Sequence, residues 1–168
     1  METSAEDVRR FPRPPDQFTD ATGRTVAIEA YDGDAGPLVA MYRTFDDDSR
    51  SQGIPPRTES QRREWVETLL AEGLNVVVRH DGELVGHAVL MPSNGTAELA
   101  IFVRPAYQSA GIGTRLIEVL LGHGQANDID HVWLSVAQTN RVAMKLYHGV
   151  GFDTRLIDRA EQEMERPL

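Results

Sequence analysis

The chain has 168 residues, no cysteine and a formal net charge of −9 at pH 7: one domain with room for a real core, and neither disulfides nor a cysteine nucleophile. Sixteen of its 17 basic residues are arginine, Lys145 being the one lysine, against 13 Asp and 13 Glu; with no basic stripe to neutralise phosphates, nucleic acid is not an expected partner. No apolar run approaches the ~20 residues of a membrane span and the first 17 residues lack the apolar core of a secretory signal, so a cytoplasmic protein is expected. Its acidic, lysine-poor make-up suits high salt, a halophilic reading, or else a GC-rich genome.

Residues 1–24 open with three prolines and many charges and read as an extended N-terminal arm, with the domain proper running from 25 to 168. Val26, Ile28 and Ala30 alternate with polar neighbours, predicting a strand at 25–31. Asp34 is placed to cap a helix carrying Leu38, Val39, Tyr42 and Phe45 on one side. The stretch "DDDSRSQGIPPRTES", with its Asp46–Asp48 triplet and Pro55-Pro56, has no periodicity and reads as a loop. Glu59 to Glu72 is predicted helical, with Trp65, Leu69 and Leu70 apolar and Gly73 as its stop.

Three strand-like runs follow, "LNVVVRH", "ELVGHAVLM" and "TAELAIFV", joined by "DGE" and "PSNG"; these turn signals predict an antiparallel meander. Thr114 to Asn127 spaces Leu116, Ile117, Leu120 and Leu121 as a helical face. "HVWLSVA" reads as a strand, "NRVAMKLYHGV" as a helix, and "DTRLID" with "EQEMERP" as a last strand pair. The whole is a mixed α/β sheet. The crossover from "TAELAIFV" through the helix to "HVWLSVA" is expected to be parallel and right-handed.

Between the third meander strand and that helix stands "QSAGIGT", a joint without acidic residues. Gly111 and Gly113 let the backbone approach a ligand closely, and Ser109 and Ala110 are small. The N–H groups from about Ser109 to Thr114 are free donors aided by the helix dipole, an anion site in the making. A phosphate loop of the Lys-Ser/Thr kind is excluded because no such pair follows. A dinucleotide fold is disfavoured because its third glycine is missing and a meander precedes.

"VRPAYQSAGIGTRLIEVLL" resembles the pyrophosphate loop of the GNAT superfamily of N-acetyltransferases, Gln108, Gly111 and Gly113 matching its Gln/Arg-x-x-Gly-x-Gly/Ala pattern. "NRVAMKLYHGVGF" is similar to the second signature of that family, through Asn140, Ala143, Leu146, Tyr147, Gly151 and Phe152. The resemblance covers roughly residues 25–166 and implies a GNAT-like fold whose central strands splay apart. It implies acetyl-CoA as co-substrate, its pyrophosphate on Gln108, Ser109, Ala110, Gly111, Ile112, Gly113 and Thr114, and its pantetheine along Ile101, Phe102 and Val103. Arg115 either adds a charge there or is a solvated helix residue. Acetyl transfer to an amine needs no metal and no covalent enzyme intermediate.

In the resemblance Tyr147 is the general acid for the leaving thiolate, a packing role being the alternative. Asn140 caps its helix, hydrogen-bonds pantetheine, or does both. Glu98 interrupts an otherwise apolar strand, a costly place for a bare charge. It faces the side opposite Leu99 and Ile101 and is the candidate base, its pKa raised by partial burial; the alternative is a structural carboxylate. His87, on the preceding strand, is either a second base or proton relay, or structural.

The segment "LVAMYRTFDDDSR" is similar to the GNAT domains of Pat-type protein lysine acetyltransferases, through Tyr42, Phe45, Ser49 and Arg50. The acceptor expected is an amine, on a small molecule or a protein lysine, and the assembly a monomer or homodimer. A coenzyme A-binding sensor without turnover is the alternative.

Overall fold

A computed structural model describes residues 10–45, 55–157 and 161–168. The Asp46–Asp48 triplet, Ser49 and Arg50 lie outside the described residues. Eight strands form one mixed sheet in the order β1-β2-β3-β4-β5-β6-β8-β7. These are β1 (Asp16–Thr19), β2 (Thr25–Ala30), β3 (Leu74–His80), β4 (Glu83–Ser93), β5 (Thr96–Val103), β6 (His131–Ala137), β7 (Asp153–Ile157) and β8 (Glu161–Pro167). The helices are α1 (Ala35–Tyr42), α2 (Glu59–Glu72), α3 (Ile112–Ala126) and α4 (Arg141–Gly149).

The expected meander is β3-β4-β5. Its two turns are built on Asp81-Gly82 and Asn94-Gly95, and all four residues have positive φ, the type I′ geometry whose twist matches the flanking strands. α2 begins where Thr58 accepts a hydrogen bond from the Gln61 N–H at 3.3 Å and ends at Gly73. Asp34 stands at the N-cap of α1 but makes no side-chain cap bond.

The N-terminal arm needs correction. Asp16–Thr19, expected within an extended arm, is an edge strand paired antiparallel with β2. Phe11 is buried and its N–H donates to Gln125 Oε1 at 3.0 Å. The chain there lies so close on α3 that a Cβ at Gly122 would come within 1.9 Å of the Pro12 carbonyl oxygen. Only glycine permits that approach.

Helices cover the sheet on two sides. Leu116, Ile117, Leu120 and Leu121 of α3 are fully buried with Leu99 and Ala97 of β5, and Leu146 and Tyr147 of α4 join the same cluster. Burying each such leucine stabilises the fold by about 1.5–3 kcal/mol. On the other side Leu38, Val39 and Tyr42 of α1 and Val66 of α2 pack on Val77, Phe102 and Ala100.

β5 and β6 run parallel, as the crossover predicts, but they pair only at Thr96 with His131, Ala97 with Val132 and Glu98 with Trp133. β5 stays paired with β4 as far as Val103, and β6 with β8 as far as Ala137. The strands therefore part after Glu98 and leave a wedge-shaped gap, the expected splay.

Candidate active site

The gap opens into a cleft of about 680 Å³, the size of a small-ligand site. β5 contributes one wall from Glu98 to Val103, Ser135 and Val136 of β6 face it, α4 lines it with Asn140, Ala143, Leu146 and Tyr147, and the β5–α3 loop closes one end.

That loop begins with a single 3₁₀ turn, Pro105–Tyr107. Gln108 then folds back and donates from Nε2 to the Val103 carbonyl at 2.9 Å. Ser109 (φ +60°) and Gly111 (φ +85°) are both left-handed, which wraps the chain around the mouth of α3. Among the described residues nothing stands within 4 Å of where a Gly111 Cβ would be, so the loop is open towards the cleft. The first N–H groups of α3 have no acceptor within the helix, and its N-cap residue, Gly111, has no side chain to cap them.

Of the sequence-predicted cofactor residues, Ile101, Phe102, Val103, Gln108, Ser109, Gly111, Gly113, Thr114 and Asn140 all line the cleft. Ala110 and Ile112 do not. Both side chains are buried, so only their backbone remains available to a ligand. Arg115 is directed elsewhere, with Nε 3.3 Å from Asp16 Oδ2 and its guanidinium over the Phe18 ring.

Tyr147 is buried in the cleft wall, its ring 5.9 Å from that of Phe152. Burial pushes its pKa up to about 12, so the phenol keeps its proton and can donate it. Asn140 caps α4 by accepting the Ala143 N–H at 3.1 Å.

Glu98 sits at the last β5–β6 pair, on the face opposite Leu99 and Ile101, as alternation requires. Its side chain is exposed at the rim and lines the cleft. Desolvation raises its pKa, and the negative charge of Glu163 raises it further. Glu161, Glu163 and Glu165 alternate along β8 opposite Ala137, Ser135 and Trp133. Glu161 Oε2 accepts from Ser135 Oγ at 2.9 Å, so this rim is acidic.

His87 is fully buried, away from the cleft. Asn75 donates from Nδ2 to the carbonyls of Leu69 and Gly73 at 2.9 and 3.1 Å, which leaves Asn75 Oδ1 to accept from His87 Nε2 at 2.8 Å. Nδ1 of His87 therefore accepts from the Tyr42 hydroxyl at 2.6 Å. Both ring nitrogens are occupied, and desolvation lowers the pKa to about 3. Of the two readings of His87, the structural one holds. Tyr42 and Phe45, which carried the second resemblance, are buried in that core.

Sequence reasoning missed the far wall of the cleft, where α4 presents Val142, 81% exposed, and Lys145. An apolar residue standing off the buried stripe of an amphipathic helix, one turn before the only lysine, was the available signal.

Residues 38–152 match the model of the Acetyltransferase (GNAT) family. The [ribosomal protein bS18]-alanine N-acetyltransferase of Haemophilus ducreyi is 33% identical over 84 residues, 49% of this chain and 58% of that protein. The chain thus spans little more than half the length of such curated relatives. Among solved structures, the GNAT domain of S. lividans PAT superposes with a TM-score of 0.80 at 18% identity, covering 92% of this chain and 97% of that one. A GNAT superfamily phosphinothricin acetyltransferase from Sinorhizobium meliloti, in complex with AcCoA, gives 0.69 at 18% identity, over 84% and 88%.

Proposed function

Because this chain belongs to the GNAT family of acetyltransferases, we propose that it moves an acetyl group from acetyl-CoA to a primary amine by direct attack, both substrates being bound together. The observation that carries this is the parting of β5 and β6 after Glu98 and Trp133. It leaves a strand edge whose backbone groups are free to hold an extended amide-bearing arm. The residues fit such a donor: the left-handed turn at Gly111 keeps Cβ atoms away from a diphosphate, and the N–H groups of the α3 mouth supply donors without a cationic side chain.

The acceptor amine approaches from the acidic rim. Glu98, with its raised pKa, takes a proton from the ammonium. A backbone N–H among Ile101–Val103 polarises the thioester carbonyl. The C–N bond forms as the C–S bond breaks, Tyr147 gives its proton to the departing sulfur, and the second proton shed by the acylated nitrogen passes through water to restore the phenol. The carboxylates of β8 favour a cationic acceptor, and the relatives named for the alanine of ribosomal protein bS18 make a protein α-amine worth testing beside lysine and small amines.

The test is release of free coenzyme A from acetyl-CoA across a panel of amines, lysine peptides and alanine-terminated peptides. Amine-dependent release is expected. Tight acetyl-CoA binding with no transfer to any acceptor would instead make the chain an acyl-CoA sensor.

A further inference from the structure

The five residues joining β1 to β2 lie against the back of the β5–α3 loop. Ala21 donates its N–H to the Ala110 carbonyl at 2.9 Å. Arg24 donates from Nη1 to the Ala106 carbonyl at 3.2 Å, and its guanidinium carbon lies 4.1 Å from the Tyr107 ring centroid. The Tyr107 hydroxyl is in turn 2.7 Å from His80 Nδ1.

The turn itself is fixed by Asp20, whose side chain is buried. Its Oδ1 accepts from the Thr22 N–H, the Thr22 hydroxyl and the Arg24 N–H, each at 2.9 Å, and its Oδ2 accepts from Arg24 Nε at 2.8 Å. Every hydrogen bond of that carboxylate thus stiffens the element that touches the loop.

The consequence lies in one peptide plane. A trans peptide holds its C=O and the following N–H antiparallel. With the Ala110 carbonyl tied to Ala21, the Gly111 N–H is turned away from the β1–β2 turn, towards the cleft that Gly111 lines. At a left-handed glycine the plane would otherwise rotate easily. We propose that the Asp20–Arg24 turn is a clamp that presets the donor-binding loop, Ala21 orienting the Gly111 N–H and Arg24 fixing the Ala106–Tyr107 turn. They are positioning residues: neither Ala21 nor Arg24 lines the cleft. The inference rests on the diphosphate of acetyl-CoA occupying that loop.

Two donors separate the possibilities: acetyl-CoA, and S-acetylpantetheine, which lacks the diphosphate. Ala21 occupies the second position of a β-turn closed by Gly23 N–H to the Asp20 carbonyl at 3.0 Å, a place that accepts proline. Ala21→Pro therefore removes the N–H while keeping the turn, and Arg24→Gln removes the fork. Each is expected to raise KM for acetyl-CoA roughly tenfold while changing kcat/KM for S-acetylpantetheine at most about twofold. Arg24→Lys, which keeps the charge but not the fork, should behave like Arg24→Gln. A loss of equal size on both donors, or Arg24→Lys with wild-type KM, overturns the clamp. If Ala21→Pro does not fold, the two Arg24 variants decide. If the unaltered chain uses both donors equally well, or neither, the diphosphate reading falls and the clamp with it. If it prefers acetyl-CoA and the variants keep that preference, the clamp alone is wrong.

Discussion

The Tyr42 hydroxyl donates to Nδ1 of His87 across 2.6 Å, joining α1 to β4 in a buried string that continues through Asn75 to the end of α2. Removing the hydroxyl leaves a buried acceptor unpaired, so Tyr42→Phe should cost about 1–3 kcal/mol, read by chemical denaturation. The same string sets an acid limit. The unfolded chain binds a proton at His87 near pH 6.5, whereas the folded chain resists it down to about 3. This stability is present above 6.5 and is lost as pH falls towards 3, at up to roughly 1.4 kcal/mol per pH unit. His87→Gln should be less stable at neutral pH and show a shallower fall below pH 6. An equally steep fall would mean that other groups govern acid unfolding.

Gly111→Asp places a carboxylate at the mouth of α3 and forces a side chain into a left-handed φ of +85°. Affinity for acetyl-CoA should drop at least tenfold, about 1.4 kcal/mol, in calorimetric titration of a folded variant. An unchanged affinity removes the diphosphate from this loop.

Tyr147→Phe keeps the ring against Phe152 and deletes the proton donor. A fall in kcat of roughly 10- to 100-fold, with little change in acetyl-CoA affinity, is expected for an interaction made only in the transition state. Wild-type turnover at every pH would reduce Tyr147 to a packing residue.

For Glu98 the raised pKa predicts an acidic limb in kcat/KM lying above the ordinary carboxylate range. Glu98→Gln should lose that limb, fall most at neutral pH and recover partly at high pH, where the free amine needs no base. Glu163→Gln removes the neighbouring charge and should shift the wild-type limb downward. A Glu98→Gln variant with an unchanged profile and a lower melting temperature would make this carboxylate structural.

Much of this was legible where the cause is local. Gly73 marks the end of α2 within its own neighbourhood, the Asp-Gly and Asn-Gly turns announce the meander, and alternation alone assigns Glu98 to its face. β1 was not legible: "DQFT" has a single large apolar residue, and its strand exists because β2 pairs with it. The role of His87 depends on Tyr42, 45 positions earlier. The turn at Asp20–Arg24 meets its partner Ala106 across 82 positions. Proximity of that kind is a product of topology, which no window of residues contains.

The seam between β5 and β6 also bears on how the fold breathes. Three residue pairs stitch five strands to the other three, and beyond them the amides on the gap side of β5 have no neighbouring strand among the described residues. An extended donor lying there acts as an inserted rung, completing a ladder that the polypeptide alone leaves open. Hydrogen–deuterium exchange along residues 99–103 should accordingly be fast for amides facing the gap and slow sharply with acetyl-CoA, while the β3–β4 amides barely change. On the proposed function, part of the mechanical integrity of this sheet would be supplied by the bound donor and withdrawn at every turnover.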